Sequence, residues 1–158
     1  MNPSKHLLLA LFAAASLAHA ADTPATSVAI EAPSSQERLA IARKAVDAKD
    51  WNRAITELNA VVRADPRNAD AHNLLGYSYR KRNPPDLAKA FEHYKTALRL
   101  DPKHKGAHEY IGEAYLMDRN PAEAEKHLAQ LEAICGNKTC EEYADLAKAI
   151  ADYKARNR

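Results

Sequence analysis

The chain copies itself. Ala71-His72-Asn73-Leu74-Leu75-Gly76-Tyr77-Ser78-Tyr79 returns as Ala107-His108-Glu109-Tyr110-Ile111-Gly112-Glu113-Ala114-Tyr115, a shift of 36 (107 − 71), with the Ala, His, Gly and final Tyr identical. Asp65-Pro66 returns as Asp101-Pro102 at the same shift (102 − 66). Ala54, Ala90 and Ala124 recur at shifts of 36 and 34, each preceded by four positions by Asp50, Asp86 or Asn120, where a helix needs an N-cap acceptor. A period in this range describes units of two helices that cannot bury their apolar stripes alone and must stack on their neighbours. Composition agrees: 46% apolar residues, 28% charged and only 4 glycines favour packed helices over strands or phosphate-cradling loops.

Small residues are required wherever two backbones approach closely, and mid-helix Gly76 and Gly112 meet that need despite a propensity cost of about 1 kcal/mol each. Leu58, Leu75, Tyr94, Leu98, Ile111, Leu128 and Leu131 fall at helical spacing on the faces that would meet, and are read as core. Thr139-Cys140-Glu141-Glu142 offers a capping box with Thr139 at the N-cap. It is followed by Tyr143, Leu146, Ala147, Ile150 and Tyr153 at intervals of three and four, as in a helix that closes the array.

These spacings resemble the tetratricopeptide repeat, a helix–turn–helix unit with small residues where its helices touch, a Tyr after the first helix's Gly, and a Pro ending the unit. The resemblance implies an all-α solenoid of antiparallel helix pairs wound as a right-handed superhelix, over residues 35–154. Its units are about 35–68, 69–104 and 105–136, then a capping helix at about 140–154 and a frayed tail at 155–158. The second unit carries two extra residues at Asn83-Pro84-Pro85. The first departs from the pattern, with Ala42 and Ala45 where the others have glycine and tyrosine.

Residues 1–20 read as a secretory signal: Lys5 in the n-region, an apolar run from Leu7 to Ala18, and Ala18-His19-Ala20 as a cleavage site. The apolar run is too short to span a bilayer, so no membrane insertion is expected after cleavage. The expected location is the periplasm if the host is Gram-negative, and the exterior otherwise. Residues 21–34, with Pro24, Pro33 and several Ser and Thr, read as a flexible linker.

In an exported chain, the pair Cys135 and Cys140 reads as a structural disulfide, with a reactive thiol pair or a metal site as alternatives. His104 and His108, four apart, could share a helix face as metal ligands. His108 repeats His72, however, so both read better as packing residues, and no metal site or cofactor is assigned. No Gly-x-Ser-x-Gly, Gly-rich phosphate loop or His-Glu-x-x-His occurs, and no enzyme is expected. Lys+Arg 23 against Asp+Glu 21 gives a formal charge of +2, too balanced for a nucleic-acid partner.

The resemblance implies a concave surface lined by the first helix of each unit. It would carry Leu39, Arg43 and Asp47, then Asn73, Tyr77, Arg80 and Lys81, then Glu109, Tyr110, Glu113 and Met117. Tyr77 and Tyr110 are the anchor candidates for a bound protein segment, or else they fill gaps between neighbouring helices. The clamp that some tetratricopeptide domains use for a C-terminal carboxylate is disfavoured, because the corresponding places hold Leu39, Arg43, Leu74, Gly106 and Tyr110. The function expected is that of a non-enzymatic adaptor binding a protein or peptide segment. The alternatives are a self-assembling homo-oligomer and a thiol redox or metal-handling role through Cys135 and Cys140.

Overall fold

The computed structural model describes residues 32–157. The expected signal at 1–20 and most of the linker at 21–34 lie outside the described residues. Among the described residues the chain forms helices only: α1 Ser35–Asp47, α2 Trp51–Ala64, α3 Ala69–Lys81, α4 Leu87–Leu100, α5 Lys105–Met117, α6 Pro121–Cys135 and α7 Glu141–Arg156.

The helix starts follow from side-chain acceptors placed where backbone N–H groups would otherwise be orphaned. Asp50, Asp86 and Asn120 accept from the backbone N–H groups of Arg53, Lys89 and Glu123 at the heads of the second helices. Asn68 and His104 do the same for the first helices α3 and α5, accepting from Ala71 and Ala107.

Three ends differ from expectation. Ser34, assigned to the linker, caps α1 in a reciprocal box with Glu37. The capping box at Thr139 does not form: Cys140 is the N-cap of α7 and makes no side-chain cap bond, because the Thr139 hydroxyl and amide both bond Asn137 Oδ1 at 2.8 Å. The last helix runs to Arg156, so Ala155 and Arg156 belong to it rather than to a frayed tail.

Each second helix buries one stripe at the same offsets: Ala54, Leu58 and Val61 in α2, then Ala90, Tyr94 and Ala97 in α4. In α6 it is Ala124 and Leu131, with Leu128 partly buried between them. Ala54, Leu58, Val61, Ala90 and Tyr94 meet Ala42, Ala45, Ala71, Leu75, Ile111 and Ala114 of the first helices in one core. A second cluster of Leu116, Ala124, Leu131, Leu146 and Ile150 joins the last pair to α7. Gly76 and Gly112 are the contact points: a Cβ on Gly76 would stand 2.6 Å from Tyr94 Cδ1, and one on Gly112 2.6 Å from Leu146 Cδ2.

The first helices touch in series, α1 with α3, α3 with α5 and α5 with α7, whereas α2, α4 and α6 do not touch one another. A layer whose members contact directly is shorter than one whose members splay apart. The array therefore curves with α1, α3, α5 and α7 on its concave side.

Candidate functional site: the tyrosine and carboxylate face of the inner helices

Tyr77 of α3 and Tyr110 of α5 are one unit apart, and their rings meet at 4.7 Å between centroids. Trp51, at the head of α2, packs edge-on against Tyr77 at 5.9 Å. Arg80 lies behind the tyrosines, 5% exposed, with its guanidinium carbon 5.4 Å from the Tyr77 centroid and 5.7 Å from that of Tyr110. It donates to the Tyr94 hydroxyl at 3.3 Å and forms an ion pair with Glu113. Burial alone would lower the pKa of Arg80; Tyr94 and Glu113 outweigh it and hold the guanidinium charged. Burial also raises the Tyr77 phenol, and raises Tyr110 to about 12 with help from Glu109. Both rings are thus neutral, amphipathic contact area.

The residues expected on this face divide three ways. Tyr77, Arg80, Tyr110 and Glu113 form one cluster, with Lys81 Nζ at 5.8 Å from the Tyr77 centroid. Asn73 and Glu109, expected as open contacts, are 6% and 8% exposed, and form part of the floor. Arg43 is exposed and pairs with Asp70 at 3.1 Å, while Met117, at the end of α5, is 45% exposed. The two readings of the tyrosines are therefore compatible, since the rings pack on each other between α3 and α5 and both remain half-buried.

Trp51 and Asp145 were not singled out by sequence, and Glu142 only as part of a capping box. With Val46, Asp47, Lys49, Tyr77 and Lys81, Trp51 lines a depression of about 470 Å³ at one end of the face. At the other end, Glu113, Asp145, Lys148, Ala149 and Asp152 line one of about 280 Å³ between α5 and α7. The signal for Trp51 was its place directly after the Asp50 cap, which puts it beside the preceding inner helix. Glu142 and Asp145 lie on a helix read only as a cover.

The histidines are engaged internally. His104 accepts from Ala107 N through Nδ1, so its Nε2 carries hydrogen and donates to Asp70 at 3.0 Å. His108 uses one ring nitrogen on Pro102 O and the other on His127. Cys135 and Cys140 are joined as a disulfide, with Cα atoms 6.3 Å apart. Glu142 lies close enough to complete a three-ligand group with them, but bonded sulfurs offer no thiolate to a metal. None of the described helices is long and apolar enough to cross a membrane.

Two profiles described as tetratricopeptide repeat match residues 39–103 and 86–152, together well over half of the chain. The chain is 35% identical over 57 residues to E3 SUMO-protein ligase RanBP2 of Drosophila melanogaster, a match covering 36% of this chain and only 2% of that much longer protein. Among solved structures, the type III secretion translocator chaperone SycD of Yersinia enterocolitica superposes with a TM-score of 0.70. It is 17% identical, and the match covers 82% of this chain and 98% of that one. The TPR2B domain of yeast Sti1, solved in complex with pHsp70, gives 0.69 at 13% identity, covering 77% and 97%. This chain, with its stacked helix pairs and closing helix, belongs to the tetratricopeptide-repeat family.

Proposed function

We propose that this protein is a non-enzymatic adaptor of the cell envelope, exported by its N-terminal signal, that holds a segment of another protein along the concave face of α1, α3, α5 and α7. The observation that carries this reading is the Tyr77–Tyr110 pair on the inner layer, with Trp51 beside it and Arg80 fixed behind. Rigid aromatic anchors backed by a desolvated arginine give large contact area at small ordering cost, and such residues dominate binding energies. The Sti1 domain, of similar fold, is described in complex with pHsp70, which supports a protein segment as the class of ligand. Export is supported by the signal pattern at 1–20 and by a disulfide that an oxidising compartment would maintain.

The test is to recover tagged full-length protein from its native envelope beside a variant carrying Tyr77→Ala and Tyr110→Ala, after confirming by circular dichroism that both are folded. Partners lost by the variant are expected; identical partner sets would overturn the groove. Sequencing the recovered chain is expected to show Ala21 at its N-terminus, and a retained Met1 would overturn export by cleavage.

A further inference from the structure

Several charges on the inner helices are paired. Arg80 pairs with Glu113, Lys105 with Glu142 at 3.5 Å, and Lys148 with Asp152 at 2.6 Å. Glu109 is different. It is 8% exposed, and among the described residues no ion pair or hydrogen bond reaches its carboxyl group, although Glu113, Glu142 and Asp145 stand near enough to act on it. A largely buried carboxylate facing other carboxylates and lacking an ion pair of its own is costly, and taking up a proton or acquiring a cation relieves that cost.

The free chain does the first. Burial raises the Glu109 pKa to about 8, with Glu113, Asp145 and Glu142 adding to the rise and Arg80 opposing it. These charges come from α3 (Arg80), from its own helix α5 (Glu113) and from α7 (Glu142 and Asp145).

A second group nearby lacks a partner of the same kind. Asn73 Oδ1 on α3 is buried and accepts no hydrogen bond, while its amide nitrogen lies 3.2 Å from where a Cβ on Gly106 would stand. Gly106 is on α5 one turn before Glu109 and Tyr110, so the unmet acceptor lies at the α3–α5 seam one helical turn along α5 from Glu109, whose own acidic neighbours come from α5 and α7. The Asn73 oxygen needs an N–H or O–H donor and the Glu109 carboxylate a cation, and an ammonium brings both.

A metal ion would not serve. Among the described residues the acidic and thiol ligand atoms that converge within 4.8 Å are those of Cys135, Cys140 and Glu142, so the carboxylates of Glu109, Glu113 and Asp145 are too dispersed for a cage. An ammonium on a flexible stem needs no such convergence, and the planar slot behind the tyrosines, where a guanidinium would stack, already holds Arg80. The whole chain has a formal charge of +2, so any attraction for a basic ligand must be local.

We propose that Glu109, with the Asp145 carboxylate acting on it from α7 and the unmet Asn73 acceptor one turn away along α5, receives the ammonium of a lysine on a basic partner segment lying along the concave face; this rests on the groove reading above. On binding, the Glu109 carboxylic acid gives its proton to solvent, and the carboxylate left behind pairs with the ammonium. No other covalent bond changes. Below about pH 8 each binding event therefore releases a proton, and affinity rises with pH until Glu109 is ionised in the free chain.

The experiment titrates full-length protein with a short peptide of alternating lysine and alanine, and with the same peptide acetylated on every lysine. Calorimetry near pH 7, in buffers of different ionisation enthalpy, reads both affinity and protons released. Expected are a roughly tenfold or greater loss for the acetylated peptide and for Glu109→Gln, no change for the surface control Glu132→Gln, and proton release in the wild type only. Because Gln mimics the protonated acid, folding of the variant is not at risk, and its circular dichroism provides the check. Equal binding of both peptides, unchanged binding by Glu109→Gln, an equal loss in Glu132→Gln, or no proton release would each overturn the proposal. If the lysine peptide does not bind while Tyr77→Ala/Tyr110→Ala still loses its envelope partners, the lysine subsite falls and the groove stands. If that variant keeps its partners, the groove itself falls.

Discussion

The Nδ1 atoms of His108 and His127 stand 2.9 Å apart, and the Nε2 of His108 lies 3.1 Å from the carbonyl oxygen of Pro102. A carbonyl only accepts, so Nε2 carries the hydrogen, Nδ1 of His108 accepts, and His127 donates. One unit earlier, His72 stands in the same relation to His93 and Pro66, at 3.1 Å for both contacts. Tyr79 stacks on His93 and Tyr115 on His127. Each pair thus ties the first helix of a unit to its second helix and to the preceding turn.

Acid should loosen these ties. Burial, and then the neighbouring His108, lower the His127 pKa to about 4; burial also lowers His93 and His108. For a base whose folded pKa lies below the unfolded value of 6.5, stability is whole above 6.5 and is lost as pH falls towards about 4. Thermal midpoints are expected to drop across that window, and His127→Gln, which keeps a donor for His108, should flatten the drop. Parallel curves for the two proteins would refute the assignment.

Gly76→Ala should destabilise the domain by about 1–3 kcal/mol, overriding the gain of about 1 kcal/mol in helix propensity. Its Cβ would stand 2.6 Å from Cδ1 of the fully buried Tyr94 ring, whose hydroxyl is held by Arg80. Gly112→Ala should cost less, because the atoms in its way are the branched end of Leu146, which can rotate. Urea unfolding of the two variants would show the order, and equal losses would contradict it.

Glu109→Gln is expected to raise stability at neutral pH. The folded pKa of about 8 exceeds the unfolded value of 4.5, so the contribution of this group is full below 4.5 and is lost as pH rises through 8. Glutamine cannot ionise, and the gap in urea midpoint between variant and wild type should therefore widen from about pH 5 to about pH 8. A constant gap would mean that Glu109 is already ionised in the folded chain.

Opening the disulfide should cost on the order of 2 kcal/mol, the loop-closure value for so short a ring. The loss should be local. Cys135 ends α6 and Cys140 caps α7, whose Leu146 and Ile150 are held by the second core cluster. Hydrogen exchange with and without reductant is expected to show α7 losing protection before α3 and α4; uniform loss across all helices would refute a local role.

Much of the fold was legible because stacking requires the same contact in every unit. Ala54, Ala90 and Ala124 recur because second helices touch first helices at one height, and Asp50, Asp86 and Asn120 recur because each second helix needs an acceptor at its head. His93 and His127 recur as well, at a shift of 34 (127 − 93), but their pairing with His72 and His108 crosses from one helix to the next and shows only in space. The Thr139 box failed for a local reason: Asn137 in the same turn took the Thr139 hydroxyl, an alternative that short polar side chains always offer.

By itself the sequence determined the paired-helix period, the caps at which the second helices begin, and that Gly76 and Gly112 are points of close approach. All of these depend on neighbours a few residues away or on a period repeated along the chain. Only the tertiary structure decided that Arg80 lies behind two tyrosines, that Trp51 joins them, and that Glu109 is buried among Glu113, Glu142 and Asp145 without a counter-ion. Charge and burial at such a point are set by side chains from three helices far apart in sequence, and Coulomb and desolvation energies depend on distance in space, which no local pattern records.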